Sequence, residues 1–271
     1  TSRGFKYVFQ TSATGDQQAE GSLPALMEMA EKASGKRPAT VGIVMDNTAA
    51  SVAFVKPIKD HQLEKLGLKL VVDETFTPPL ANATPLIQKV RSARPDILFL
   101  LPTAISDAKL LLEKMNEFGL GKGKLPTVSN GAAILDPDLR SNMNVAQLEG
   151  VMSVVANWST SSQKDAVAEF NRKTGEPWPT QHFLTTYGDI WIFKAALEAA
   201  GKADRAAVAK ALRGLDLTDG AAKFFPGGRV KFDESGRRVG ASLVIVQWQS
   251  GIPITVYPAK DALAAPVWPK R

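Results

Sequence analysis

Three short segments hold the best-placed polar groups of the chain: Asp46-Asn47-Thr48-Ala49-Ala50-Ser51, Pro102-Thr103-Ala104-Ile105-Ser106-Asp107 and Ser129-Asn130-Gly131-Ala132. Each follows an apolar run with the character of a strand and ends at or near a helix start. Hydroxyls, amides and the unpaired N–H groups of a helix N-terminus suit a small anion such as a carboxylate. Ser51, Ser106 and Asp107 could equally do no more than cap their helices. The three loops together, at one edge of a sheet, carry more weight than any one of them.

Catalytic signals are weak. His61 lies in a polar helix and His182 near a helix start, and such histidines are most often exposed or structural. Asp46 could serve as a general base, yet no partner that would tune it can be identified. No G-x-S-x-G elbow, P-loop or G-x-G-x-x-G follows a strand. Metal-ligand spacing of His, Cys and carboxylates is absent, and the chain has no cysteine. The expectation is a protein with no catalytic residue, no metal site and no cofactor.

The elements that would position these loops alternate through the first half. Asp16–Ala33 has helical spacing and Thr40–Asp46 ("TVGIVMD") is a strand buried on both faces. Ser51–Lys65 is a helix, and Leu68–Glu74 a strand. A helix opens at Thr84-Pro85, a cap followed by proline at the first helical position, and closes at Pro95. Asp96–Leu101 is a buried strand, Ser106–Phe118 a helix and Pro126–Asn130 a shorter strand. Strands and helices alternating at this spacing imply a parallel, doubly wound sheet and an α/β fold. The opening Tyr7–Phe9 is read as a short strand.

After Trp158 the pattern changes. Helices are expected over Ser162–Lys173, Gln181–Ala200 and Asp204–Arg213, with strands at Arg229–Phe232 and Ala241–Trp248 followed by "PITVYP". The middle helix places Phe183, Tyr187, Ile190, Phe193 and Leu197 on one stripe, a face too wide to leave in water. The chain has 271 residues, 44% hydrophobic and 22% charged, with a net charge of +6. That charge invites a nucleic-acid reading, but basic runs never exceed the pairs Lys36-Arg37 and Arg237-Arg238, so no nucleic-acid partner is expected. No apolar run approaches the length needed to span a bilayer.

The segments "KYVFQT", "VGIVMDN", "RPDILFLLP", "EGVMSVV", "YGDIWIFKAALEAAG" and "GRVKFDESGRRVGASLVIVQWQSG" occur in an order that resembles the leucine/isoleucine/valine-binding type of periplasmic solute-binding protein. The resemblance covers nearly the whole chain. It implies a two-lobed periplasmic-binding-protein type I fold, with doubly wound parallel sheets joined by a hinge. It also implies capture of a small solute by hinge closure, delivery to an inner-membrane ABC permease, a periplasmic location and a monomer. Residues 1–155 would be lobe two, 156–238 the returning and mostly helical part of lobe one, and 239–271 a hinge crossover with the last strands of lobe two. On this reading "KYVFQT" is where a chain first crosses between lobes, the first half of lobe one lies upstream of Thr1, and the residues that hold a ligand carboxylate lie there too.

The resemblance also assigns a ligand-binding set: Asn47, Thr48, Ala50, Thr103, Ala104 and Asn130. Amino-acid-binding members place an acidic residue at the position matching Asn130, where it grips the ligand ammonium. An amide holds a cation less strongly. A tyrosine of some members falls at Ala50. The expected solute is therefore an amino acid, an amide, or a small, aromatic or aliphatic, carboxylate. A ligand-sensing regulator or receptor domain of the same fold is the nearest rival, and a Rossmann-like enzyme, lacking the glycine fingerprint, the more distant one.

Overall fold

Val41 to Met45 offers water no polar side chain, and the run becomes the buried centre of a strand. The computed structural model describes residues 4–269. Its chain divides into two compact units, one of Gly15–Val155 with Val244–Arg271 and a smaller one of Thr1–Thr14 with Ala156–Leu243.

The larger unit runs through α1 (Gly15–Ser34), β1 (Thr40–Asp46), α2 (Ala49–Pro57), α3 (Leu63–Lys65), β2 (Lys69–Phe76), α4 (Thr84–Ala93), β3 (Ile97–Leu101), α5 (Ile105–Glu117), β4 (Thr127–Asn130), α6 (Pro137–Asn142) and β5 (Met152–Val155). Every residue of β3 is buried, as its unbroken apolar sequence requires. The helix expected over Ser51–Lys65 is interrupted. Pro57 removes a backbone donor, and a π-helical turn at Ile58–Gln62 joins α2 to α3. Thr84 is not the cap of α4; Ala83 holds that position, and the Asn82 side chain accepts from the Thr84 N–H at 2.9 Å.

The smaller unit contains α7 (Lys164–Thr174), α8 (Gln181–Ala200), α9 (Arg205–Gly214), β6 (Asp216–Leu217) and β7 (Val230–Lys231). Its core gathers Ile192, Ala196, Val208, Phe225, Val230 and Phe232. The strand expected at Arg229–Phe232 shrinks to two residues paired with β6. Among the described residues of this unit, that two-stranded ladder is the only sheet. Leu184, Gly188, Ile192 and Ala196 of α8 are buried, whereas of the wide apolar stripe Phe183, Tyr187 and Leu197 are half-buried and Ile190 and Phe193 are 64% and 53% exposed.

Tyr7–Phe9 forms no strand. Gln10 alone bridges Arg237, and the buried Arg238 guanidinium donates to the carbonyls of Thr11 (2.6 Å), Pro226 (3.1 Å) and Arg229 (3.0 Å). These bonds place the opening residues with the smaller unit, whereas 1–155 was expected to form one lobe.

The chain returns to the larger unit with β8 (Val244–Gln249) and β9 (Ile252–Tyr257). The seven strands stand in the order β2-β1-β3-β4-β5-β8-β9. β1 to β5 are parallel, and β8 and β9 continue the sheet antiparallel. The fold is the α/β, mostly parallel architecture expected.

Candidate functional site

Because β1, β3 and β4 are parallel, the loops that follow them leave one edge of the sheet. In open α/β sheets that carboxyl edge is where ligands bind. Asp46 is the last residue of β1 and has no exposed surface. Its Oδ1 accepts from the Thr48 N–H (3.1 Å) and hydroxyl (2.6 Å). Its Oδ2 accepts from the Thr103 N–H (2.7 Å) and hydroxyl (2.6 Å). The carboxylate thus ties the loop after β1 to the loop after β3. Burial alone would raise its pKa, but the bonds from Thr103, Thr48 and Ser51 outweigh it, and the net shift is downward. A carboxylate so engaged makes a poor general base.

The expected residues fall into three groups. Thr48 and Thr103 come together on Asp46. Asn47, exposed, donates from Nδ2 to the Thr77 hydroxyl at 2.9 Å, which brings in the loop after β2. Asn130 ends β4 and is half-buried; its Nδ2 donates to Gln18 Oε1 (2.9 Å) on α1 and to the Val154 carbonyl (3.0 Å). Ala50 is exposed in the first turn of α2, and Ala104 is the half-buried residue before α5. No hydrogen bond joins Asn130 to the Asp46 group.

The capping reading of the loop side chains is not what the structure shows. Ser51 Oγ donates to the Leu101 carbonyl at 3.3 Å, and Asp107 Oδ1 accepts from the Leu80 N–H at 3.0 Å and from Ser106 Oγ at 3.4 Å. Thr48 occupies the N-cap of α2, yet its hydroxyl is turned to Asp46. Ala104, the N-cap of α5, has no polar side chain. Both helices therefore start without a side-chain cap, leaving first-turn N–H groups open to an acceptor from outside the chain. Each start carries about half a positive charge, and two buried carboxyl groups stand against that sum, Asp46 between the starts and Asp107 in the first turn of α5. The edge therefore carries no excess of positive charge, so an amide or a zwitterion suits it as well as a carboxylate.

Gln18 and Thr77 were not anticipated as parts of this edge, and Asp46, expected in the first loop, was not foreseen as the tie between two loops. A local signal existed for Asp46, since an Asp whose side chain bonds the N–H two residues on is a common turn device. Thr77 and Gln18 had none. His61 sits in the π-helical turn and His182 in the first turn of α8, both exposed. Among the described residues, no group of three His, Cys, Asp or Glu side chains could hold a metal ion.

Known proteins share this fold. The model of the periplasmic binding protein family matches residues 1–252. A Leu/Ile/Val-binding protein homolog of Brucella melitensis is 25% identical over 97% of this chain. The chain spans 66% of that relative's length. Among solved structures, a solute-binding protein of an ABC transporter from R. palustris, in complex with benzoate, superposes with a TM-score of 0.74 at 16% identity, over 99% of this chain and 70% of that one. A leucine-binding protein from Thermotoga maritima superposes at 0.72 with 19% identity, over 94% and 68%. The structural likenesses establish the fold, and the match of the family model along almost the entire chain establishes descent: this chain belongs to the periplasmic binding protein family.

Proposed function

We propose that the chain captures an amino acid, an amide or a small carboxylate at the carboxyl edge of its larger unit and serves an ABC importer in the inner membrane. The observation that carries this is the pair of uncapped helix starts, α2 and α5, locked side by side by Asp46 through Thr48 and Thr103. Preorganised N–H groups bind a ligand acceptor without reordering the backbone. Small side chains at Ala49, Ala50 and Ala104 leave those groups accessible. Asn130, with Asn47 at the rim, supplies amide contacts suited to a polar, uncharged ligand group. The relative bound to benzoate supports a carboxylate-bearing solute.

The rest of the proposal follows the resemblance. The larger unit is lobe two, the smaller unit belongs to lobe one, and capture proceeds by closure of hinged lobes. The protein acts as a periplasmic monomer without a cofactor, and it binds rather than transforms its solute.

Isothermal titration calorimetry with leucine, leucinamide and benzoate tests this reading. At least one should bind, and Thr103→Val, which removes the hydroxyl and leaves only the N–H of residue 103 on Asp46, should weaken it at least ten-fold, a loss of about 1.4 kcal/mol. Equal affinity of the variant would remove the clamp from the account. Silence across the panel, and across a wider set of small carboxylates, would remove the function.

A further inference from the structure

A few of the basic residues that look scattered along the chain gather at the opposite, amino edge of the larger unit's sheet. Arg91 and Arg94 end α4 ahead of β3, and Lys122 and Lys124 lie in the turn ahead of β4. All four are exposed, and none makes an ion pair with a described residue. Nearby acids are engaged elsewhere: Glu117 pairs with Lys114, and Asp96 accepts from Ala39 and Thr40. Two adjoining open grooves, of about 310 and 570 Å³, share Arg91, Arg94 and Phe118, and Lys124 lines the first. Arg91 lies 5.5 Å over the Phe118 ring. The floor is apolar, with Leu120 and Leu125.

The backbone gives a second, independent sign. Only three non-glycine residues among those described have positive φ, and two are Arg94 (48°) and Lys122 (57°). Helices α7 and α8 fill the position of Arg94 with glycines, Gly175 and Gly201, in the same conformation. Glycine is the unstrained choice there. An arginine in this conformation, lining both grooves, marks a side chain retained against local backbone preference.

We propose that this edge docks on anionic phospholipid headgroups at a membrane surface. The cations project from an open edge around an apolar floor, a form that fits a sheet of headgroups better than one enclosed ion. The chain's net charge of +6 adds long-range attraction to such a surface. The candidate solute site, at the other edge of the same sheet, stays clear of the bilayer.

The test is flotation of the chain at low salt with vesicles of equal parts phosphatidylcholine and phosphatidylglycerol, and with phosphatidylcholine alone. The chain should bind only the anionic vesicles and come off as salt screens the contact. Each basic side chain removed from the patch should lower partitioning about five-fold, so R94G/K124Q should lose roughly twenty-fold while remaining folded, since glycine suits position 94. K202Q/K260Q removes the same charge from exposed sites elsewhere and should bind nearly as well as the parent. Failure to float, or equal losses in the two double variants, would overturn the proposal. So would displacement by inorganic phosphate or a glutamate-rich peptide at concentrations too low to screen the vesicle surface, which would reassign the groove to a small anion or an acidic partner.

Discussion

A carboxylate denied all contact with water needs partners for both oxygens, and Asp46 draws them from Thr48, two residues on, and from Thr103, 57 residues on. Asp46→Ala would leave two hydroxyls and two N–H groups without their acceptor and should lower stability by about 3 kcal/mol, read from urea denaturation at neutral pH. The pH dependence has a definite sign. The folded pKa is depressed, so the stabilisation is present above the unfolded value of about 3.9 and is lost as pH falls below it toward the folded value. Asp46→Asn should therefore flatten the acid limb of the stability curve; an unchanged limb would show that other carboxylates govern acid unfolding. Arg94→Gly should raise stability by about 1 kcal/mol, because the left-handed conformation no longer meets a Cβ. Thr48 could be related to Asp46 from the sequence because they lie two residues apart. Thr103 could not, since only the parallel pairing of β1 with β3 brings it there.

Elements were legible where hydrophobic pattern and burial coincide. β1 and β3 have runs that only a sheet covered on both faces accepts, and they occur where expected. The smaller unit was less legible. Its two strands are two residues each, too short for any alternation to register. Helix α8 is apolar on nearly every side, so periodicity could not say which face meets the core. Packing decides it at Gly188, where an added Cβ would come within 2.7 Å of the buried Phe225 ring. Gly188→Ala sets a helix-propensity gain of up to about 1 kcal/mol against an overpacking penalty of about 1–3 kcal/mol. The clash should win, and thermal unfolding should show a lowered midpoint. On the opposite face, Ile190 and Phe193 stand in water. Ile190→Lys with Phe193→Ser should reduce binding of a hydrophobic dye and suppress aggregation, while changing stability by no more than about 1 kcal/mol. A large loss of stability would mean that this face is covered in solution.

For the whole molecule, sheet order and family agree, and the polarity of the sheet gives its two edges different characters. The carboxyl edge has uncapped helix starts and no excess of positive charge; the amino edge is basic. The second was invisible in the sequence, because the three cations that line its groove come from two separate segments that only the pairing of β3 with β4 brings together. The three polar loops were visible because each directly follows a strand. The claim on which the functional account rests is that a solute acceptor meets the first-turn N–H groups of α2 and α5. Amide chemical-shift mapping of the isotope-labelled chain, titrated with benzoate, leucine and leucinamide, tests it most directly and detects weak binding. The account predicts shifts concentrated at Ala49, Ala50, Ser51, Ile105 and Ser106, with Asn130 following. Shifts confined to the groove beside Tyr7, Phe193 and Val208 in the smaller unit, or none at any concentration these ligands allow, would contradict it.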